Sequence, residues 1–285
     1  MSQGFGPLAD TRWLTEHLDH GALRLVDCRW YLTDPEKGRA EYDAGHIPGA
    51  AYLSIDTDLS AGRGPGRHPL PTPEEIAHRL GTRGIGDRNY VVAYDDAGGG
   101  IAARLWWMLR SIGHQRVAVL DGGIQAWVAS GGDLVTSEPS WAPGVLSVVG
   151  ASRTIDRVAL ADSLGEFTVV DARAPDRYNG EVEPVDSAAG HIPTAINVPY
   201  TGNLGAGGRF LPADELRARY ESAGVDDAAS TVVYCGSGVT ACHDILAMEV
   251  AGLGTATLYP GSWSDWSASG GPVATGPEPG VASNP

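Results

Sequence analysis

Gly45-His46-Ile47-Pro48-Gly49-Ala50 returns later in the chain as Gly190-His191-Ile192-Pro193-Thr194-Ala195. Three further stretches repeat in the same order. Val26-Asp27-Cys28-Arg29 returns as Val170-Asp171-Ala172-Arg173, Val91-Val92-Ala93-Tyr94 returns near Val232-Val233-Tyr234, and Gly122-Gly123-Ile124-Gln125-Ala126-Trp127 matches Gly261-Ser262-Trp263-Ser264-Asp265-Trp266. Ordered matches at slowly drifting offsets define a tandem duplication, the drift marking changes in loop length. The reading divides the chain into a first domain over 1–136, a linker over 137–150 and a second domain over 151–285. Ser137 to Gly144 is rich in turn formers, which suits a linker. Gly276 to Pro285, rich in Pro and Gly, is expected to be a frayed tail.

Each half alternates short β-branched runs with helical patterns. Leu23 to Asp27, Val91 to Tyr94 and Val117 to Leu120 read as strands, with Phe167 to Asp171, Thr231 to Tyr234 and Ala256 to Tyr259 as their counterparts. Thr72-Pro73-Glu74-Glu75 has the cap, the first-turn proline and the capping-box glutamate of a helix start. Ile101 to Arg110 is helical and largely apolar. The alternation predicts an α/β fold in which each half is a mainly parallel sheet flanked by helices on both faces. Reactive loops of such sheets sit at the carboxyl ends of strands.

The chain has 285 residues, 42% of them hydrophobic, enough for two real cores. With 20 basic against 35 acidic residues the net charge is −15, which argues against nucleic acid and anionic membranes as partners. An anionic substrate then needs a locally positive pocket. The N-terminus lacks a basic, then apolar, secretory pattern, and no apolar run approaches the ~20 residues of a membrane-spanning helix. Cys28, Cys235 and Cys242 form neither a disulfide framework nor a metal-ligand spacing. A reducing, cytoplasmic location and no metal or other cofactor are expected.

The chemistry is concentrated in Tyr234-Cys235-Gly236-Ser237-Gly238-Val239-Thr240-Ala241. A strand ends at one cysteine, small flexible residues follow, and a helical pattern runs from Ala241 to Val250. Gly236 and Gly238 let the backbone curl, so that several N–H groups face one point. Such donors at a helix start favour a thiolate, and a thiolate is a nucleophile. Covalent sulfur chemistry follows as the expectation. Cys242, two helical turns on, and Cys28 lack such a loop and read as packing residues. Trp106, Trp107, Trp127, Trp263 and Trp266 read mostly as core, with Trp263 also a candidate wall of the site.

Paired Gly-His-Ile-Pro motifs, a Val-Asp-x-Arg strand end and the Cys-Gly-Ser-Gly-Val-Thr loop together resemble the two-domain rhodaneses, a family of sulfurtransferases. The resemblance covers nearly the whole chain. It implies a ping-pong reaction in which the Cys235 thiolate takes a sulfur from a small anionic donor, becomes a persulfide, and passes that sulfur to a thiol or, in an assay, to cyanide. The uncharged Gly236-Ser237-Gly238 interior is similar to that of 3-mercaptopyruvate sulfurtransferases, since thiosulfate-preferring relatives carry basic residues just after the cysteine. Loop residues Gly236, Gly238, Val239 and Thr240, with Arg177, would hold the donor, the guanidinium suiting a carboxylate or sulfonate. Ser237, His68 and Asp56 match a proton relay proposed in some relatives. A thioredoxin-like protein is the acceptor that the family suggests.

Departures from the family pattern matter too. A second donor-binding arginine is often found in a Glu-Pro-Arg motif. Here the stretch is Glu183-Pro184-Val185, which leaves thiosulfate open as donor unless another basic residue, such as Arg209, compensates. In the first half Asp95 or Asp96 stands where the cysteine would be, so that half is expected to be non-catalytic. Arg173 is expected to pair with Asp171 or a carbonyl, and His46 and His191, present in both halves, to be hydrogen-bonders of the fold. Two rival functions are weighed. A cysteine phosphatase of this fold would need an arginine six positions after the cysteine, where Ala241 stands. A sulfur carrier without rapid turnover shares the loop and is separated only by kinetics.

Overall fold

A computed structural model describes residues 5–150 and 153–281. Two compact units emerge. The first holds the chain up to Ala61, the stretch from Pro71 to residue 150, and Gly205–Phe210; the second holds Gly62–Leu70, Arg153–Leu204 and the chain from Leu211 on.

The elements of the first unit are β1 (Leu8–Ala9), α1 (Thr11–His17), β2 (Leu23–Asp27), α2 (Lys37–Ala44), β3 (Ala50–Tyr52), α3 (Pro73–Thr82), β4 (Tyr90–Tyr94), α4 (Ala102–Ser111), β5 (Val117–Leu120) and α5 (Gly123–Ala129). Its sheet has the order β1-β5-β4-β2-β3, every pair parallel. The second unit has α6 (Arg157–Asp162), β6 (Thr168–Asp171), α7 (Pro175–Tyr178), β7 (Ile196–Asn197), α8 (Ala213–Ser222), β8 (Thr231–Tyr234), α9 (Ala241–Val250), β9 (Thr257–Leu258) and α10 (Ser262–Ala268). Its order is β7-β6-β8-β9, again all parallel. Strand for strand this repeats β3-β2-β4-β5 of the first sheet, as the duplication predicts. β8 is buried along its length and β4 from Val91 on, so they read as unbroken apolar runs rather than alternations.

The repeated motifs have a common structural task. Tyr94 and Tyr234, last residues of β4 and β8, accept from the amides of Ile47 and Ile192 through their hydroxyls at 3.2 and 3.1 Å. His46 stacks on Tyr42 and His191 on Tyr178, each with Nδ1 2.8 Å from that tyrosine's carbonyl oxygen. Arg29 grips Asp27 and the Gly45 carbonyl; Arg173 grips Asp171 and the Gly190 carbonyl. These histidines and Arg173 are fold bonders, as expected. The capping box at Thr72 is complete, with Thr72 Oγ1 taking the Glu75 amide and Glu75 returning to the Thr72 amide.

Residues 137–150 contain neither helix nor strand and are fastened to the first unit. Gly144 N donates to Gly81 O at 2.8 Å, Asp87 N to Val145 O at 2.9 Å and Val149 N to Ile112 O at 3.0 Å. The tail needs correction over its described part, since residues 282–285 lie outside the described residues. Far from fraying at Gly276, it is bonded through Gly276 N to Asn179 O at 2.8 Å and through the Pro279 carbonyl to Thr194 N, while the Glu278 carbonyl lies 3.1 Å from His191 Nε2. Its reason is the repeat: Ser137 O meets His46 Nε2 in the same way, so the end of each copy satisfies that copy's histidine.

Candidate functional site

β8 delivers Cys235 to the carboxyl edge of the second sheet, with α9 starting six residues later. Cys235 is 2% exposed. The Tyr259–Ser264 turn buttresses its backbone. Cys235 N–H donates to Ser262 Oγ (3.1 Å), Ser262 Oγ donates to Tyr259 O (2.9 Å), Trp263 N–H donates to Cys235 O (2.9 Å) and Ser264 N–H to Gly236 O (3.0 Å). Ser262 holds this place with φ of +53°, a left-handed conformation that costs a non-glycine residue about 1–3 kcal/mol. Gly238, at φ +75°, is needed as glycine, because a β-carbon there would lie 2.5 Å from the Pro260 carbonyl oxygen. Val239 is buried and Thr240 caps α9 without a side-chain bond. Among the described residues, the amides of Gly236, Ser237 and Val239 make no hydrogen bond. They are donors available to an anion in the loop.

The first unit has a loop at the equivalent place, one residue longer before its helix, and there it is filled. Asp95 follows β4 directly, as Cys235 follows β8, so Asp95 rather than Asp96 occupies the cysteine's position. Its carboxylate accepts from Ala97 N (2.9 Å), Gly99 N (2.8 Å), Ile101 N (2.7 Å) and Ala102 N (2.8 Å). Four amides converge on one buried anion. Burial raises the Asp95 pKa, and the four amide bonds oppose that rise.

Within the second unit, His68 and Arg177 gather around the Cys235 loop. His68, itself buried, has Nδ1 2.8 Å from Ser237 Oγ, although the two are far apart in sequence. Gly62–Leu70 belongs to the second unit and carries His68 there. Arg177 lies beside the loop, its Nη1 3.5 Å from where a β-carbon on Gly236 would be. Its other nitrogens hold Glu183 and Asp186 at 2.7 and 3.0 Å. Burial alone would raise both acids; hydrogen bonds from Arg177 and nearby amides turn Glu183 downward, whereas Asp186 stays raised. Asp56 belongs to the first unit, where its Oδ2 accepts from Trp30 Nε1 at 2.8 Å.

Arg67 was missed by sequence reasoning. It sits one residue before His68, its Nη1 pairs with Asp186, and its Nη2 is 2.8 Å from the β-carbon position of Gly236. The only signal was its place in Arg67-His68-Pro69. Arg209, suggested as a compensating cation, lies in the first unit 3.8 Å from Asp121. Cys242 and Cys28 are fully buried, as expected of packing residues, and Cys242 Sγ donates to Gly238 O at 3.4 Å. Trp263 is buried with its Nε1 on Ala188 O, and the other four tryptophans named above are also core.

A family model for the rhodanese-like domain matches the chain twice, over residues 10–130 and 156–269. The chain belongs to the rhodanese family, as a tandem pair of such domains. It is 44% identical over 281 residues to a Pseudomonas aeruginosa protein described as "Probable 3-mercaptopyruvate sulfurtransferase", covering 94% of this chain and 98% of that one. It is 35% identical over 272 residues to the thiosulfate sulfurtransferase of Rattus norvegicus, 91% of each chain being covered. The solved 3-mercaptopyruvate sulfurtransferase from Leishmania major superposes with a TM-score of 0.82 at 32% identity, covering 94% of this chain and 75% of that one. Among the described residues no helix is long and apolar enough to cross a membrane.

Proposed function

We propose that this chain is a sulfurtransferase that moves a sulfane sulfur from 3-mercaptopyruvate to a thiol through a persulfide on Cys235, with the nucleophile in the domain of residues 151–285 and none in the domain of residues 1–136. The observation that carries the reading is Cys235 held in a loop whose amides are open to an anion, in a relative of named sulfurtransferases. The Cys235 thiolate attacks the donor's sulfur. The new S–S bond forms as the S–C bond breaks, and its electron pair leaves on pyruvate enolate, which takes a proton to become pyruvate. Ser237, hydrogen-bonded to His68, would pass that proton. The open amides of Gly236, Ser237 and Val239 stabilise charge on the thiolate and then on the persulfide. Arg177 holds the donor's anionic end. An acceptor thiolate, on a thioredoxin-like dithiol in the cytoplasm, then takes the outer sulfur and restores Cys235.

Thiosulfate is the second reading, favoured by Val185 standing where an arginine for the mercaptopyruvate carboxylate would be. The test is mass spectrometry after donor treatment. Wild type gains one sulfur, lost again on adding thiol; Cys235→Ser gains none, and Cys242→Ala keeps most of the activity. A dead Cys242 variant beside an active Cys235 variant would put the site elsewhere.

A further inference from the structure

Two guanidinium nitrogens converge on the loop without an acceptor. Arg67 Nη2 and Arg177 Nη1 each lie within 3.5 Å of one point, the β-carbon position of Gly236, the residue next to Cys235. Neither nitrogen makes a hydrogen bond among the described residues, and Arg67 Nε is buried without a partner as well. One carboxylate bridges the two guanidiniums, and Glu183 holds Arg177 as well. Asp186 gives Oδ1 to Arg67 and Oδ2 to Arg177, and is itself almost fully buried and fixed through its amide on Glu183 Oε1. Such a bridge orients two cations toward a further anion while cancelling part of their charge at rest. Arg67 in turn is anchored by its backbone amide on Ser264 Oγ at 3.1 Å.

We propose that Arg67 is the second donor-binding guanidinium of this chain, doing with Arg177 what residue 185 cannot, and that Gly236 lacks a side chain to leave room for it. The ligand is the anionic head of the donor, a carboxylate or sulfonate oxygen pair bound between Arg67 Nη2 and Arg177 Nη1. The proposal deepens the sulfurtransferase reading and rests on it for the donor's identity. It also explains why a loop without a basic residue can serve an anion in a protein of net charge −15. Positive charge reaches the cysteine from the Gly62–Leu70 segment instead of from the loop itself.

The experiment compares Arg67→Met and Arg67→Lys with wild type in two arms. In the first, alkylation of Cys235 by iodoacetate, an anion, is measured against iodoacetamide, its neutral counterpart, by peptide mass. Loss of one charge-assisted contact lowers the iodoacetate rate about tenfold to a hundredfold in Arg67→Met while the iodoacetamide rate holds, and Lys restores part of it. In the second, KM for 3-mercaptopyruvate rises by a similar factor with kcat little changed. Equal change in both alkylation rates, or none, overturns the assignment. The alkylation arm needs no sulfur transfer, so it reads the anion site independently of the reaction; a wild type that never acquires sulfur refutes the reaction alone.

Discussion

Replacing Asp95 by Asn tests the physics on which the cysteine loop depends, in the half of the chain that has no cysteine. Asp95 accepts four amides, two on each oxygen, at 2.7–2.9 Å. Asparagine has the same shape but only one acceptor oxygen. Its NH2 group must therefore face two of the four amides, whichever way it is turned. A buried donor left unsatisfied costs about 1–3 kcal/mol, so two of them cost about 4 kcal/mol. The loss is offset only in part by removing a buried charge, whose cost shows in the raised Asp95 pKa. Urea unfolding followed by circular dichroism and tryptophan fluorescence is the assay. With a slope of about 2 kcal/mol per molar urea, the first unit's transition moves down by about 2 M. Asp95→Ala should do no better, since all four donors are then orphaned. An Asn variant within about 1 kcal/mol of wild type would show that the loop amides are indifferent to an anion. The account of Cys235 stabilised by the amides of Ser237 and Val239, which stand two and four residues on as Ala97 and Gly99 stand from Asp95, would fall with it.

Three further outcomes are expected. Asp244, buried in α9, accepts from Asn203 Nδ2 and Tyr220 Oη at 2.7 and 3.1 Å, and burial, opposed by Asn203, Tyr220 and Arg219, raises its pKa to about 7. Because the unfolded carboxyl ionises near the ordinary value of 3.8, its contribution to stability is complete below that pH and is lost as pH rises through about 7, by up to about 4 kcal/mol. Asp244→Asn, which mimics the protonated form, should flatten urea midpoints measured at about pH 5 and pH 8; an unchanged slope contradicts the assignment. Gly238→Ala must accept a left-handed φ and move the Pro260 carbonyl, so it should cost about 2–4 kcal/mol and slow Cys235 alkylation. Wild-type stability in that variant would contradict the geometry. Val185→Arg should raise the kcat/KM ratio for 3-mercaptopyruvate over thiosulfate by about tenfold, as one added charge-assisted contact allows; a constant ratio removes residue 185 from donor selection.

The sequence made the central strands legible because they are buried on both faces, and a run such as Thr231 to Tyr234 has no other home. α9 was legible because its start follows two loop glycines and its apolar pattern is long. β1, β3 and β7 were not, being two or three residues long and stabilised by pairing with a neighbour rather than by their own pattern. The tail misled for a related reason. Its Pro and Gly content reads as disorder, yet its carbonyls answer the histidine of the repeat, a partner that only tertiary structure brings near. Cys235 and Ser237 stood out through a local motif, and His68 through the resemblance. Arg67 did not, since an arginine earns notice only from what it meets, and it meets residues far along the chain.

The allocation of Gly62–Leu70 has a genetic consequence. A gene trimmed to encode only the part after residue 150 would keep the cysteine but discard the imidazole and guanidinium that attend it. The first half of the sequence thus lends its neighbour a short segment, so that cutting the gene at the repeat boundary would not cut the molecule there.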